Sequence, residues 1–404
     1  MKGSSARLTS SFFTEGHLAI AQSVDIYLDR LGSRKSDLLK GILEEHRYPD
    51  ELMAAMAELG IYGALIPEAY GGTGVGLLAM VVAMERFSAY GLENTLALLA
   101  TMDSLALLKG GSEAQKLQYL PRVADGSLKL AFAITEPDAG SNSFNMRLAA
   151  RKSALGYVIS GQKAWITGVD RADMMLVVAR STSREDIVAQ GLPKSFGLSL
   201  FLVPTTAPGL VKQEMQTAGI EGFSQFHLYF DDVALGPEAL IGEENMGASI
   251  LFDALNPERI VSASFAVGMT DYFLNKAVEY SKTRKVFGER PIGAYQGVAH
   301  PLARIRTTQE AARLLMYQAA ESYDQKAPAQ VVGTYANMAK YLASENCFEA
   351  ADRAIQTFGG SGFVEENMLI QMLAPARLSK TAPINNEMVL NYIAEHELGM
   401  PRSY

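Results

Sequence analysis

Apolar positions recur with helical spacing through the first third of the chain, as in Leu52, Met56 and Leu59, with a glycine-rich break at Tyr70 to Gly76. The apolar stretch that follows, Leu77 to Met84, runs on into Glu85, Arg86 and Phe87, which reads as a buried helix rather than a strand. From about residue 128 the texture changes. Phe226, Leu228 and Phe230 alternate with His227, Tyr229 and Asp231, and Leu198 to Val203 is a short apolar run ended by Pro204, so this segment is β. Beyond about residue 241 the helical period returns in one stripe of Phe265, Met269, Phe273, Ala277 and Tyr280, whose composition suits a core. The pattern predicts an α+β fold of three segments, 1–127 helical, 128–240 β and 241–404 helical, packed as one protomer with a bundle at each end. No internal repeat or low-complexity segment stands out.

Composition narrows the class. The chain has 404 residues, 48% hydrophobic and 20% charged, with a mean hydropathy of +0.05, which suits a globular protein of about two or three core-bearing segments. A net charge of -8 and a pI near 5.3 argue against general nucleic-acid or anionic-membrane binding, while leaving room for a local basic pocket for phosphates. The single cysteine, Cys347, rules out an intramolecular disulfide framework and suits a buried inert thiol. No metal site is expected. With no apolar run of membrane-spanning length and no apolar leader near Met1, the expectation is a soluble, cytoplasmic protein. The first fourteen residues are rich in Ser and Thr, carry Lys2 and Arg7 and lack acid; they faintly suggest a transit peptide but suit a plain frayed terminus better.

The most informative text is AFAITEPDAGSN, Ala131 to Asn142, followed after a spacer by GQKAWITG, Gly161 to Gly168. A Thr-Glu-Pro opening, an Asp-Ala-Gly-Ser turn and a Trp-Ile-Thr strand suit a backbone-lined slot for a flat, hydrogen-bonding ring system. Turn chemistry around Pro137 to Gly140 accounts for a strand, a turn and a second strand by itself. With Trp165-Ile166-Thr167 at this spacing, the two pieces resemble the flavin-binding signature of the acyl-CoA dehydrogenase family.

Further segments resemble that family in its order from about residue 45 to the end. Phe230 to Gly247 is similar to its exit from the β-domain, Tyr280 to Ala303 to its Arg-x-x-Phe-Gly helix, and Gln356 to Phe363 to its Gly-Gly loop. The resemblance implies an N-terminal helical bundle, a middle β-barrel or sandwich domain and a C-terminal four-helix bundle, with FAD as cofactor. It implies that Phe132, Ile134 and Thr135 line the flavin ring from one side, and that Trp165, Ile166 and Thr167 cover it, the last offering a hydroxyl near its reactive nitrogen. Gly140 and Ser141 fall near the dinucleotide, Ser141 also near the substrate's pantetheine arm, and Asn385 joins the cofactor set. Arg284 and Phe287 would reach the dinucleotide of a neighbouring subunit, with Gln296 and Gln356 at the adenine or ribose and Gly359 and Gly360 against phosphate. Plainer readings stand beside these. Lys282, Arg284 and Lys285 suit a helix C-terminus, the glutamines suit partly buried amides, and the glycine pair suits a helix terminator.

The family's chemistry needs a carboxylate across the substrate from the flavin. Many members carry it 24 residues past the first Gly of the Gly-Gly loop, which here is Pro383. A second group, resembling the isovaleryl and long-chain acyl-CoA dehydrogenases, places it on an earlier helix, matched here by LNPER, Leu255 to Arg259. Glu258 is therefore the candidate general base and Arg259 a cation for the pantetheine side or the local loop. Glu-Arg after Pro257 also suits a helix N-terminus. Glu365, Glu366 and Glu387 are weaker alternatives. Pro383 offers no N–H for the thioester oxygen, so the amide of Ala382 or Ile384 would have to serve. Asn256 replaces the usual acid before Glu-Arg, and Ala374-Pro375 replaces an Arg-Asp pair, a change expected at subunit or flavin contacts.

What the resemblance implies for function is an FAD-dependent acyl-CoA dehydrogenase of fatty acid metabolism, acting on an acyl-CoA or acyl-carrier thioester. Electron transfer flavoprotein is the expected partner, and a homotetramer or homodimer the expected assembly. Relatives with the early-helix glutamate point to a branched or longer acyl chain. Three alternatives stay open: a dehydrogenase of carrier-protein-bound acyl groups, a flavin oxidase or monooxygenase, and a non-catalytic partner subunit of a hetero-oligomer.

Overall fold

The computed structural model describes residues 12–403, so the start of the chain through residue 11, where most of the transit-like text falls, lies outside the described residues. Helices come first: α1 (Glu15–Leu31), α2 (Arg34–Glu45), α3 (Asp50–Glu58), α4 (Leu77–Ser88), α5 (Thr95–Gly110) and α6 (Glu113–Ala124). They begin where the sequence supplies caps. Asn94 accepts from the Ala97 N–H at 3.2 Å to open α5, and Ser112 and Gln115 satisfy each other's backbone at the start of α6. α4 is buried along its whole length, which is why its text shows no polar face.

Eight strands follow: β1 (Leu130–Ala133), β2 (Ala149–Ser153), β3 (Gly156–Thr167), β4 (Met174–Arg180), β5 (Leu198–Pro204), β6 (Leu210–Met215), β7 (Gln225–Leu235) and β8 (Leu240–Ile241). A short helix, α7 (Arg184–Ala189), interrupts them, capped by Ser183 accepting from the Asp186 N–H at 3.0 Å; the wholly β reading of this segment missed it. The strands form one sheet in the order β6-β7-β3-β2-β4-β5-β8, with β1 beside β4 in parallel.

Alternation explains how the sheet sits. Ala131 and Ala133 of β1, Met175 and Val177 of β4, and Phe201 and Val203 of β5 share a core with Ile159 of β3 and Phe226, Leu228 and Phe230 of β7. The residues between them, Phe132, Leu176, Val178, Leu200 and Leu202, belong instead to the helical core. The sheet thus folds over on itself, and β1, β4 and β5 are apolar on both faces, which produces the unbroken run Leu198–Val203.

The chain returns to helix in α8 (Gly247–Thr283), α9 (Gln296–Asp324), α10 (Ala329–Phe358), α11 (Leu369–Leu378) and α12 (Asn386–His396). Phe273 and Ala277 of α8 share one apolar core with Leu28 of α1, Phe87 of α4 and Leu107 of α5, so the bundles at the two ends of the chain are continuous in space. A buried ion pair ties them, with Arg313 of α9 donating to Glu85 of α4 at 2.7 Å, and a partly buried one holds α4 to α1 within the first bundle, with Arg86 donating to Asp25 at 2.9 Å. Among the described residues no helix is long and apolar enough to cross a membrane.

Candidate functional site

Lys163 and Glu136 stitch the two halves of the middle-domain motif together. Glu136 accepts from the Arg147 and Leu148 N–H groups at 2.6 and 2.9 Å, and the buried Lys163 ammonium donates to it at 2.9 Å and to the Ile134 carbonyl at 2.8 Å. The Ala164 N–H closes on the Thr135 carbonyl at 2.9 Å. Burial pulls the Lys163 pKa down to about 8, against the pull of Glu136. Sequence reasoning passed over both residues as site organisers, because charged residues in strand text read as surface.

This clamp presents the motif outward. Trp165 sits where the β3–β7 ladder slips register, with φ of +59° and a side chain 52% exposed. A bulky residue held at positive φ with its indole in the open is a shaped, strained feature, as ligand clamps are. The Thr167 hydroxyl donates to Gln225 at 2.9 Å, leaving its own lone pair available. Ile134 and Thr135 are half-buried, Gly140 and Ser141 exposed, and Phe132 closes the inner wall. Ile166 departs from the expectation: its side chain is in the core of the sheet, which leaves only its backbone to take part in the slot.

Two contacts bring the C-terminal helices to this slot. Asn385 caps α12 by accepting from the Met388 N–H at 2.9 Å and donates to the Ser141 hydroxyl at 2.8 Å. The Phe144 ring, just past the motif, meets Phe252 of α8 at 5.5 Å between centroids. Glu258 follows Phe252 within two turns of that helix. Pro257 lies inside α8, not at its start, so the helix N-terminus reading of Glu-Arg is wrong. The Glu258 side chain is half-buried yet densely surrounded by protein, and desolvation raises its pKa to about 7, with Arg259 working in the other direction. Arg259 donates to Asn256 at 2.9 Å, which makes it an anchor of the local turn. Glu365, Glu366 and Glu387 are all exposed.

Pro383 lies in the loop between α11 and α12. That loop is fixed from beneath: the buried Lys340 donates to Asn386 at 2.6 Å, and Asn386 donates to Glu345 at 2.7 Å. The Ala382 N–H is committed to the Leu378 carbonyl at 2.9 Å, whereas the Ile384 N–H has no partner among the described residues. Of the two amides considered for the thioester oxygen, only Ile384's is free. Ala374 packs against Gly219 of the middle domain, where a Cβ would come within 2.1 Å of it, so the Ala374-Pro375 change is felt inside one protomer.

The remaining predicted residues gather elsewhere. Tyr280, near the end of α8, stacks on Phe358 at the end of α10 at 4.1 Å. This brings the end of α8, followed by Arg284 and Phe287, to the end of α10, where Gln356, Gly359 and Gly360 lie, while Gln296 opens α9. Arg284 is the C-cap of α8, as the plain reading held, and is exposed. Phe287 is 98% exposed. Arg284 stands about 26 positions past Glu258 along one helix, which is roughly 40 Å. One protomer therefore does not bring this group to the slot beside Glu258. A cleft of about 1730 Å³ lies between α1, α4, α8 and α9 around Asp25, Lys35, Tyr272 and Arg306, and none of the predicted site residues lines it.

The helix–sheet–helix fold and the relatives it matches define an oxidoreductase. The acyl-CoA dehydrogenase N-terminal, middle and C-terminal domains match residues 14–127, 131–233 and 245–398, and the chain belongs to the acyl-CoA dehydrogenase family, whose members depend on flavin. It is 42% identical to the acyl-CoA dehydrogenase FadE12 of Mycobacterium tuberculosis, over 89% of this chain and 91% of that one. It is 32% identical to the caffeyl-CoA reductase-Etf complex subunit CarC of Acetobacterium woodii, over 85% and 88%. Among solved structures it resembles a glutaryl-coenzyme A dehydrogenase in complex with glutaryl-CoA, with a TM-score of 0.88, 27% identity and 97% of each chain covered.

Proposed function

We propose that this protein is an FAD-dependent acyl-CoA dehydrogenase in which Glu258 removes the α-proton of an acyl thioester. The observation that carries the reading is Glu258 itself: a half-buried carboxyl on the helix that meets the end of the flavin motif, with a pKa raised to about 7 by burial. A base near the working pH is both ionised enough to act and basic enough to accept the proton. FAD, when bound, supplies the acceptor for the hydride leaving the β-carbon. Trp165, Thr135, Thr167 and the backbone of Ile166 suit its ring system, and Ser141 and Asn385 its dinucleotide side. Ile384 N–H takes the role that Pro383 cannot fill at the thioester oxygen.

Arg284, Phe287, Gln296, Gln356 and the Gly359-Gly360 pair serve the neighbouring subunit's cofactor. The distance along α8 and the open Phe287 ring support a homodimer or homotetramer. Arg284→Ala is expected to purify with less bound FAD than wild type, measured as visible absorbance per protein; undiminished flavin would remove Arg284 from the cofactor set. Electron transfer flavoprotein is the proposed partner, supported by the likeness to an Etf-complex subunit.

Anaerobic mixing of the flavin-loaded protein with short, branched and long acyl-CoAs tests the reading. One acyl class is expected to bleach the flavin, at a rate rising about tenfold per pH unit below the Glu258 pKa of about 7. Bleaching only by a carrier-bound acyl group would redirect the substrate to a carrier protein, and none by either would reject the dehydrogenase.

A further inference from the structure

α5 is buried on all sides, and an acid sits in the middle of it. Asp103 is 0% exposed, and neither carboxyl oxygen has a hydrogen-bond partner among the described residues. A carboxyl left without partners in a protein interior is costly unless it holds its proton.

Packing places it. At one end of the seam, Gly268 of α8 lies against Ser88 and Ala89, at the end of α4 just ahead of α5. At the other, Gly110 lies against Ile250 of α8, and Lys109 donates to the Ser249 carbonyl at 2.9 Å. The two helices therefore run antiparallel. Seven residues back from Gly110 along α5 falls opposite seven residues forward from Ile250 on α8, which sets Asp103 beside Pro257 and Glu258.

We propose that Asp103 is a positioning residue for the proposed reaction: an uncharged carboxyl in the wall beside Glu258 that keeps the pair at a single negative charge. The proposal rests on the reading of Glu258 as the base. The neighbours leave Asp103 no other partner. From α8 only Glu258 faces it, since Arg259 is turned to Asn256 and Asp253 pairs with Lys109 at the solvent end. β1 (Leu130–Ala133) and β8 (Leu240–Ile241) bring no ionisable group. The charged residues of α6 are Glu113, Lys116 and Arg122, the first two paired with each other at its outer end. On α4, Glu85 is held by Arg313 and Arg86 by Asp25. Glu93 lies before the start of α5. Asp103 is wholly buried without a partner among the described residues, whereas Glu258 is half-open beside the Arg259 cation, so Glu258 ionises first and Asp103 keeps its proton, its pKa pushed up by burial and by the charge of Glu258. When both are charged, two unpaired negative charges stand in a dry seam, which must open to admit water, and Glu258 loses its fixed position, so the rate falls.

The test is flavin bleaching by the acyl-CoA substrate, followed in holoenzymes from about pH 5.5 to about pH 10. Wild type is expected to rise through the Glu258 pKa and fall again at alkaline pH. In Asp103→Asn the alkaline fall disappears. A superimposable alkaline limb in the two proteins overturns the proposal, as does its absence from wild type. Melting temperature gives a second readout. Because the folded protein holds this proton above the pH at which the unfolded chain releases it, wild type loses stability relative to Asp103→Asn as pH rises above the ordinary carboxylate range. Parallel melting curves across pH also overturn it. Should the Asn variant not fold, Asp103→Leu supplies both readouts. Glu258→Gln separates the two ideas: if it still bleaches, the base assignment has failed, and if only the Asp103 profiles coincide with wild type, Asp103 alone is removed.

Discussion

Glu258→Gln is expected to bind FAD normally and to lose flavin reduction by an acyl thioester by about a hundred- to ten-thousand-fold, the range that a positioned general base contributes. Glutamine keeps the size and hydrogen-bonding of the side chain but cannot take a proton. Since Glu258 sits half-open in α8 with no salt bridge among the described residues, little of the fold depends on its charge. The visible spectrum measures flavin content, and stopped-flow bleaching measures the rate. The split between an intact spectrum and a lost rate is the informative outcome. If both fall together, Glu258 acts by supporting the slot.

Lys163→Met is the largest structural effect expected. It removes the cation from a pair in which both partners are buried and leaves Glu136 with two backbone N–H donors but no counter-charge. Breaking a buried pair from one side costs about 3–5 kcal/mol, enough to consume much of the stability of an ordinary domain. Because Lys163 also holds the Ile134 carbonyl, the slot itself loosens. Denaturant unfolding is expected to show the loss in stability, with a lowered FAD content alongside. Restoring neutrality with Glu136→Gln in the same chain is expected to recover part of the stability, and failure to recover any would show that the charge pairing is not the cause.

Much of the fold was legible because burial leaves a plain trace in hydropathy. The run Leu77 to Met84 has no polar face because α4 has none in space, and Leu198 to Val203 is unbroken because β5 lies between two cores. α7 escaped because its cap and polar text sit in an exposed excursion from the sheet. The site was legible only in part. Glu258 was reached through a matched motif, but nothing local told that α8 runs through Pro257, since proline ordinarily starts or ends a helix. Lys163, Glu136 and Asp103 carry their meaning in partners supplied or withheld by distant chain: a charge in a strand looks exposed until its counter-charge is seen, and the one acid in TLALLATMDSLALL looks like a polar interruption until α8 is laid against it. The separation of Arg284 from the slot followed only from the length of one unbroken helix.

The central claim is that Glu258 moves the proton at the α-carbon, and solvent exchange isolates that step from hydride transfer. With the flavin already reduced, so that no net oxidation takes place, wild type and Glu258→Gln are incubated with the acyl-CoA in deuterated water, and deuterium at the α-carbon is followed by mass spectrometry. Rapid incorporation by wild type and none above background by Glu258→Gln is the predicted result. Equal incorporation by both would contradict the account and place the base elsewhere.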